Sequence, residues 1–243
     1  KPTIDAVREL ANGSPGTSTI LGERDLFPAH YAALANGTLA HSMDFDDTHR
    51  AAIMHPGAPL FATLLALAEE RRSSGKEFLV ATVAGYDIGN KLGKAHGPKV
   101  HHKGFHPTAT TGIFACTAAG GRLLGLSNSH VLSALGLNNS QIAGTQQFLE
   151  DGSWNKRVHT GLAAHNSILS LVMARNGVIG AREPIEGRFG YFALYTSEPS
   201  DPSAALEGLG SEFEVMNTAI KPYPCCRYSH ATIDAVINLV TEN

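Results

Sequence analysis

The densest run of ionisable side chains in this sequence is His41-Ser42-Met43-Asp44-Phe45-Asp46-Asp47-Thr48-His49, with His55-Pro56-Gly57 close behind. The three carboxylates Asp44, Asp46 and Asp47 repel one another unless water or cations match them. Three readings fit such a run. It could be the solvated end of the apolar stretch before it. It could be a divalent-metal site, because Asp and His suit several ions. Or it does acid–base work, neighbouring carboxylates and imidazoles moving one another's pKa values towards neutrality. The sequence holds no His-Glu-x-x-His, no Cys-x-x-Cys and no adjacent His-Asp pair, so no spacing supports the metal.

A second run is His101-His102-Lys103-Gly104-Phe105-His106-Pro107-Thr108. Pro107 fits the first position of a helix rich in small residues, which places His106 at its mouth. A helix N-terminus favours anions, so a carboxylate would dock beside His106 and Lys103; a histidine before proline is otherwise a cap or a core residue. Lys156-Arg157-Val158-His159 precedes another small-residue helix, where a positive cluster opposes the helix dipole. A structural protein has little reason to put two cations there, and anion binding gives one. Lys221-Pro222-Tyr223-Pro224-Cys225-Cys226-Arg227 reads as a loop pinned by proline with a cation at each end. Its adjacent cysteines are read as buried, inert packing residues rather than nucleophiles.

The distribution of charge agrees. Net charge is −3, which speaks against a nucleic-acid partner. Yet no Asp or Glu falls between Ile88 and Leu149, or between Gly152 and Arg182, while lysines, arginines and seven histidines do. Such a region attracts a compact anion, and no aromatic stripe points to stacked bases. No apolar run is long enough for a membrane span, and no signal peptide is evident. Three cysteines, two of them adjacent, make no disulfide framework and suit a reducing cytoplasm.

The elements that must position these groups read as helices. Ala29–Met43, Pro59–Arg72, Lys76–His96, Pro107–Leu124, Ser127–Leu137 and Val158–Gly177 carry apolar or small residues at helical spacing. Ser127-Asn128-Ser129 supplies N-caps, and Asn176-Gly177 a C-terminal stop. Composition shifts after Tyr195. Thr196–Leu209 reads as a loop with a weak turn, Glu212–Lys221 as a strand, and Ser229–Val240 as a helix. The class is mainly α. An all-helical domain is expected over 1–211, lacking its own start because Lys1-Pro2-Thr3 reads like mid-chain, with strands absent up to about Tyr195. The beginning of an α/β unit is expected over 212–243.

In order, Asp44-Phe45-Asp46-Asp47-Thr48 with His55-Pro56, Gly104-Phe105-His106-Pro107-Thr108, Lys156-Arg157-Val158-His159-Thr160-Gly161 with Ala163-Ala164, and Lys221-Pro222-Tyr223-Pro224-Cys225 resemble the MmgE/PrpD family. That family includes 2-methylcitrate dehydratase, cis-aconitate decarboxylase and iminodisuccinate epimerase. The resemblance implies a large all-helical domain with a smaller α/β lid, a homodimer, and no metal or organic cofactor. It implies active-site positions at Asp44, Thr48, His55, His106, Lys156 and Lys221. Two departures weigh against the decarboxylase branch. The interval from Thr48 to His55 is one residue longer, and Cys226 stands where that branch has a histidine.

The expected activity is therefore a lyase acting on a small polycarboxylate, first of all a 2-methylcitrate dehydratase-type hydro-lyase, with decarboxylation or epimerisation as alternatives. A catalytically silent helical binding protein is the alternative from another class. In the hydro-lyase, His106 is the base, His55 the acid, and Asp44 tunes a neighbouring imidazole. Lys156 and Lys221 hold the substrate carboxylates, helped by Thr48, Lys103 and Arg157.

Overall fold

Small residues decide how the helices meet. The computed structural model describes residues 1–242. In chain order the elements are α1 (Pro2–Ala11), β1 (Ser18–Thr19), β2 (Leu26–Phe27), α2 (Ala29–Ala40), β3 (Thr48–His49), α3 (Gly57–Arg71), α4 (Gly75–His96), α5 (Lys99–His102), α6 (Pro107–Thr110), α7 (Gly112–Leu124), α8 (Asn128–Asn138), α9 (Phe148–Asp151), α10 (Asn155–Arg175), α11 (Tyr191–Tyr195), β4 (Thr218–Ala219) and α12 (His230–Glu242). The fold is mainly α, as expected.

The long helices α2, α3, α4, α7 and α10 pack around a core that includes Leu60, Leu64, Ala119, Ile168 and Leu171. A second cluster around Val100, Ile113, Phe114 and Tyr191 lies under α11. Local signals start and stop the helices. Ser74 and Glu77 close a reciprocal capping box on α4, and Ser127 caps α8 by accepting from His130 N–H. The contact between α2 and α10 is the tightest of the helix crossings that bear on the acidic turn. A Cβ added to Gly161 would lie 2.2 Å from Thr38 Oγ1 and 2.3 Å from Leu34 O. Thr160 Oγ1 donates to Gly37 O across the same contact at 2.7 Å. The two backbones touch, and this sets where the first turn of α10 stands relative to the end of α2.

Several expectations need correction. The stretch expected as one helix, Pro107–Leu124, breaks at Thr111 into the four-residue α6 and the longer α7. There the Thr110 and Thr111 hydroxyls both pair with the buried Tyr191 phenol, at 2.8 and 2.9 Å. So short a helix has little dipole to offer an anion. Helix α10 starts at Asn155, so Lys156 and Arg157 belong to its first turn rather than preceding it. Strands also occur in the first half, though only as pairs of residues: β1 with β2, and β3 with β4, both antiparallel.

The strand expected over Glu212–Lys221 shrinks to Thr218–Ala219, preceded by a 3-10 turn at Glu214–Asn217. Buried Glu214 explains the change. Its carboxylate takes bonds from Lys94 Nζ (2.5 Å), His49 Nε2 and Asn217 Nδ2 (both 3.0 Å), while its N–H donates to Asp87 Oδ1. Satisfying that buried charge pulls the segment into a turn against α4. Because β4 pairs with β3, the chain beyond 212 is stitched to the helical body. Among the described residues no helix is long and apolar enough to cross a membrane.

Candidate active site

Helix α2 ends at His41, and the chain then turns sharply through the acidic run. Asp44 sits at φ 50° and Ile53 at φ 51°, both in the left-handed region. Asp tolerates that conformation because its short polar side chain bonds locally; a β-branched Ile does not, and its strain is of order 1–3 kcal/mol. The backbone bridge between His49 and Met54 holds the Ile53 turn closed, with Ala52 N–H donating to His49 Nδ1 at 3.1 Å. Both left-handed residues line one cavity of about 630 Å³.

Three imidazoles from three separate segments meet in its wall. His41 and His55 lie 5.1 Å apart between ring centroids, His41 and His106 5.8 Å, and His55 and His106 6.3 Å. Each has its Nδ1 engaged from behind. His41 Nδ1 donates to Asp46 Oδ2 at 2.7 Å, and His55 Nδ1 donates to the Asp47 carbonyl at 2.9 Å. His106 Nδ1 is 3.2 Å from Nδ1 of His159 on α10. Asp47 is itself fixed, accepting from Tyr86 Oη at 2.6 Å and from Gly57 N–H at 3.0 Å. Burial pushes the pKa of His55 down to about 4 and that of His106 well below the usual histidine range, so both imidazoles are neutral near pH 7. His41 Nε2 and Asp46 Oδ1 are buried with no hydrogen-bond partner among the described residues.

The cationic side is organised by Asp44. Lys156 Nζ donates to its Oδ2 at 2.6 Å, and Lys221 Nζ donates to its Oδ1 at 2.5 Å and to its carbonyl at 2.8 Å. Burial alone would raise the pKa of Asp44, but bonds and charge from the two lysines outweigh it and hold the carboxyl well below its ordinary range. Asp46 is likewise held low against burial, by His41, His55 and Lys221. Arg157 also reaches the cavity, its guanidinium 5.2 Å over the Trp154 ring.

Asp44, His55, His106, Lys156 and Arg157 thus come together in one cavity wall although they are scattered through the sequence. Lys221, only 2% exposed, lies immediately behind that wall through Asp44. Two residues go elsewhere. Lys103 Nζ donates to the carbonyls of Leu194 (2.8 Å) and Thr196 (3.1 Å), which ties the end of α5 to the end of α11 and leaves Lys103 off the cavity. Thr48 is buried in β3 opposite Ala219 and does not line the cavity. The cysteine pair also differs from expectation. Cys226 is exposed and lines the cavity beside Pro224 and Tyr228.

Sequence reasoning passed over His41, Asp46 and His159. His41 and Asp46 stand in the run that draws attention first, but their pairing needs the left-handed turn at Asp44 between them. His159 lies one turn along α10 from Lys156, and that spacing is a usable signal.

Comparison with known proteins agrees with the motifs. The sequence profile of the MmgE/PrpD N-terminal domain matches residues 1–203. A cis-aconitate decarboxylase-like protein from Aspergillus oryzae is 30% identical over 92% of this chain and 49% of its own length. Cis-aconitate decarboxylase of Aspergillus terreus is 30% identical over 93% and 48%, and that of Homo sapiens 29% identical over 92% and 47%. The chain spans about half the length of these curated relatives.

Proposed function

Since this chain belongs to the MmgE/PrpD family, we propose that it carries the proton-handling half of a lyase that acts on a small polycarboxylate without a metal or organic cofactor. The observation behind this reading is the meeting of three imidazoles and a lysine-carboxylate cluster around one cavity, with the buried His41 Nε2 unpartnered among the described residues. Cationic groups at Lys156 and Arg157 draw substrate carboxylates into the cavity. A carboxylate that takes a bond from Lys156 offers that ammonium an alternative to Asp44, while Lys221 keeps Asp44 in place.

We keep the hydro-lyase as the first reaction. A base removes the proton next to a substrate carboxylate, the carbon–oxygen bond breaks, and the departing hydroxyl leaves as water with a proton from an acid. Neutral His106 and His55 suit the accepting role. His41 suits the donating role better than His55, the acid expected from sequence, once it is an imidazolium: Asp46 then holds the Nδ1 hydrogen, and the proton given to the departing hydroxyl comes from Nε2. Decarboxylation is the second reading and is favoured by the activities for which the relatives are named. There the carbon–carbon bond to a carboxylate breaks, carbon dioxide leaves, and an imidazolium protonates the carbon left behind. Both reactions use the same anion clamp and proton handlers.

The all-helical domain over 1–211, the α/β unit begun at 212, a homodimer and a cytoplasmic setting complete the proposal for the whole protein. The test is incubation with 2-methylcitrate, citrate and cis-aconitate, following alkene absorbance and carbon dioxide. Alkene formation from the first two identifies a hydro-lyase; carbon dioxide from cis-aconitate identifies a decarboxylase. No change and no calorimetric binding with any of the three would refute a lyase of this substrate class and leave the silent binding protein.

A further inference from the structure

His41, His55 and His106 have a geometry that acid–base chemistry alone does not require. Each offers a ring nitrogen within 4.8 Å of those of the other two. Behind each ring, Nδ1 is engaged by a different group: the Asp46 carboxylate, the Asp47 carbonyl and the His159 ring. Metal-ligating histidines characteristically have their second nitrogen held by a carboxylate or carbonyl, which fixes the tautomer, and Nδ1 of His41 and of His55 is held so here. His41 and His106 are only 1% and 6% exposed, and His41 Nε2 is buried without a partner among the described residues.

The local charge also permits a cation. Asp44 and Asp46 bring two carboxylates to this side of the cavity, where they stand against the ammonium groups of Lys156 and Lys221. Three imidazoles with an open fourth position suit zinc and its neighbours in the first transition row, with bonds of about 2.0 Å. Tetrahedral bonds of that length place the three nitrogens roughly 3.3 Å apart, so the rings must close in from their present separation of up to 4.8 Å when the ion binds.

We propose that His41, His55 and His106 form a binding site for a divalent transition-metal ion, and that the ion and the polycarboxylate exclude one another from the cavity. The ion is an inhibitor here and not a cofactor, because it occupies the nitrogens that would otherwise handle protons. Only this exclusion rests on the proposed function; the metal site rests on the geometry.

The test uses the whole protein and cobalt(II), with zinc(II) as competitor. Cobalt should bind one to one and give the visible absorption band of a four-coordinate ion, and zinc should abolish it. His41→Ala and His55→Ala should each weaken cobalt binding by at least tenfold, and Asp46→Asn by about 10–100-fold through loss of the group behind His41. His130→Ala, a histidine outside the cavity, should bind cobalt like the parent. Circular dichroism checks that each variant is folded; if one is not, the remaining two decide. No band, or binding unchanged in the folded variants, overturns the site. Where polycarboxylate turnover is present, zinc should suppress it and a chelator should restore it, whereas turnover that persists with the site filled overturns the exclusion. Absence of turnover would count against the lyase and leaves the cobalt result standing, so the two readings fail separately.

Discussion

At the scale of single residues, the charges of the cavity wall are matched to one another, Asp44 taking bonds from both Lys156 and Lys221. Lys156 has Asp44 as its partner and reaches the cavity; Lys76, on the surface end of α4, has no such place. A charge-assisted bond to a buried carboxylate is worth roughly 1.5–3 kcal/mol, about tenfold to more than a hundredfold. Lys156→Ala should therefore lower kcat/KM at least tenfold, while Lys76→Ala, whose ion pairs contribute under about 1 kcal/mol, changes little. His106→Ala should instead remove mainly kcat, because proton transfer belongs to the transition state. Steady-state kinetics with circular dichroism as the folding control checks all three. Equal, small effects would mean that ordinary helix-end residues were mistaken for an active site. At this scale the sequence is legible where ionisable residues stand out in a dense run or at a helix start, as at Asp44, His55 and Lys156, which the fold brings to one cavity. It is not legible for Lys103, because nothing in a local motif shows that Leu194 and Thr196, about ninety residues on, supply the carbonyls that claim its ammonium.

At the scale of elements, the contact between α2 and α10 carries the site. It fixes His41 and Asp44, at the end of α2, against Lys156 and His159, in the first turns of α10. A side chain at Gly161 would fall within 2.3 Å of the α2 backbone, so the helices must separate to admit it. Overpacking of this kind costs typically about 1–3 kcal/mol, and more where backbone meets backbone. Gly161→Val should lower the urea midpoint accordingly and reduce kcat/KM even where the variant remains folded, since the separation stretches the Lys156–Asp44 bond. A folded variant of unchanged activity would show that the contact does not position the site. The small-residue character of α7 and α10 foretells close packing, and helical spacing places most long helices within a few residues. Element breaks are harder. The interruption at Thr111 arises from a buried tyrosine 80 residues away, and the shortening of the late strand arises from the partners of Glu214; neither is a local propensity.

At the scale of the whole molecule, the Glu214 carboxylate joins the β3–β4 pair and the Lys221–Asp44 bond in anchoring the segment after 212. Burial would raise the pKa of Glu214, but Lys94, Asn217 and His49 bring it from an ordinary 4.5 to about 2. A carboxyl depressed in the folded state stabilises it fully above the unfolded value, and that contribution disappears as pH falls through the folded one. Glu214 should therefore contribute up to about 3 kcal/mol at neutral pH, lost between about pH 4.5 and pH 2. Thermal unfolding across that range should show a steeper fall in Tm for the parent than for Glu214→Gln, which starts lower at neutral pH. Parallel curves would mean that the anchor carries no stability. Helix α12 contrasts with this segment: His230 is its only buried residue among those described, and Val236, Ile237 and Val240 are exposed.

The lysine that seals the back of the cavity stands 177 positions after the aspartate it holds. A ribosome adds roughly 5–20 residues each second, so Asp44 is made about 9–35 s before Lys221. Throughout that interval the nascent chain has the acidic turn and its histidines but neither the ammonium behind them nor the wall formed by Pro224, Cys226 and Tyr228. Synthesis itself thus acts as a timer: the helices can grow and pair for all of that time without a chamber to hold a ligand, and the chamber closes only once Tyr228 has been added.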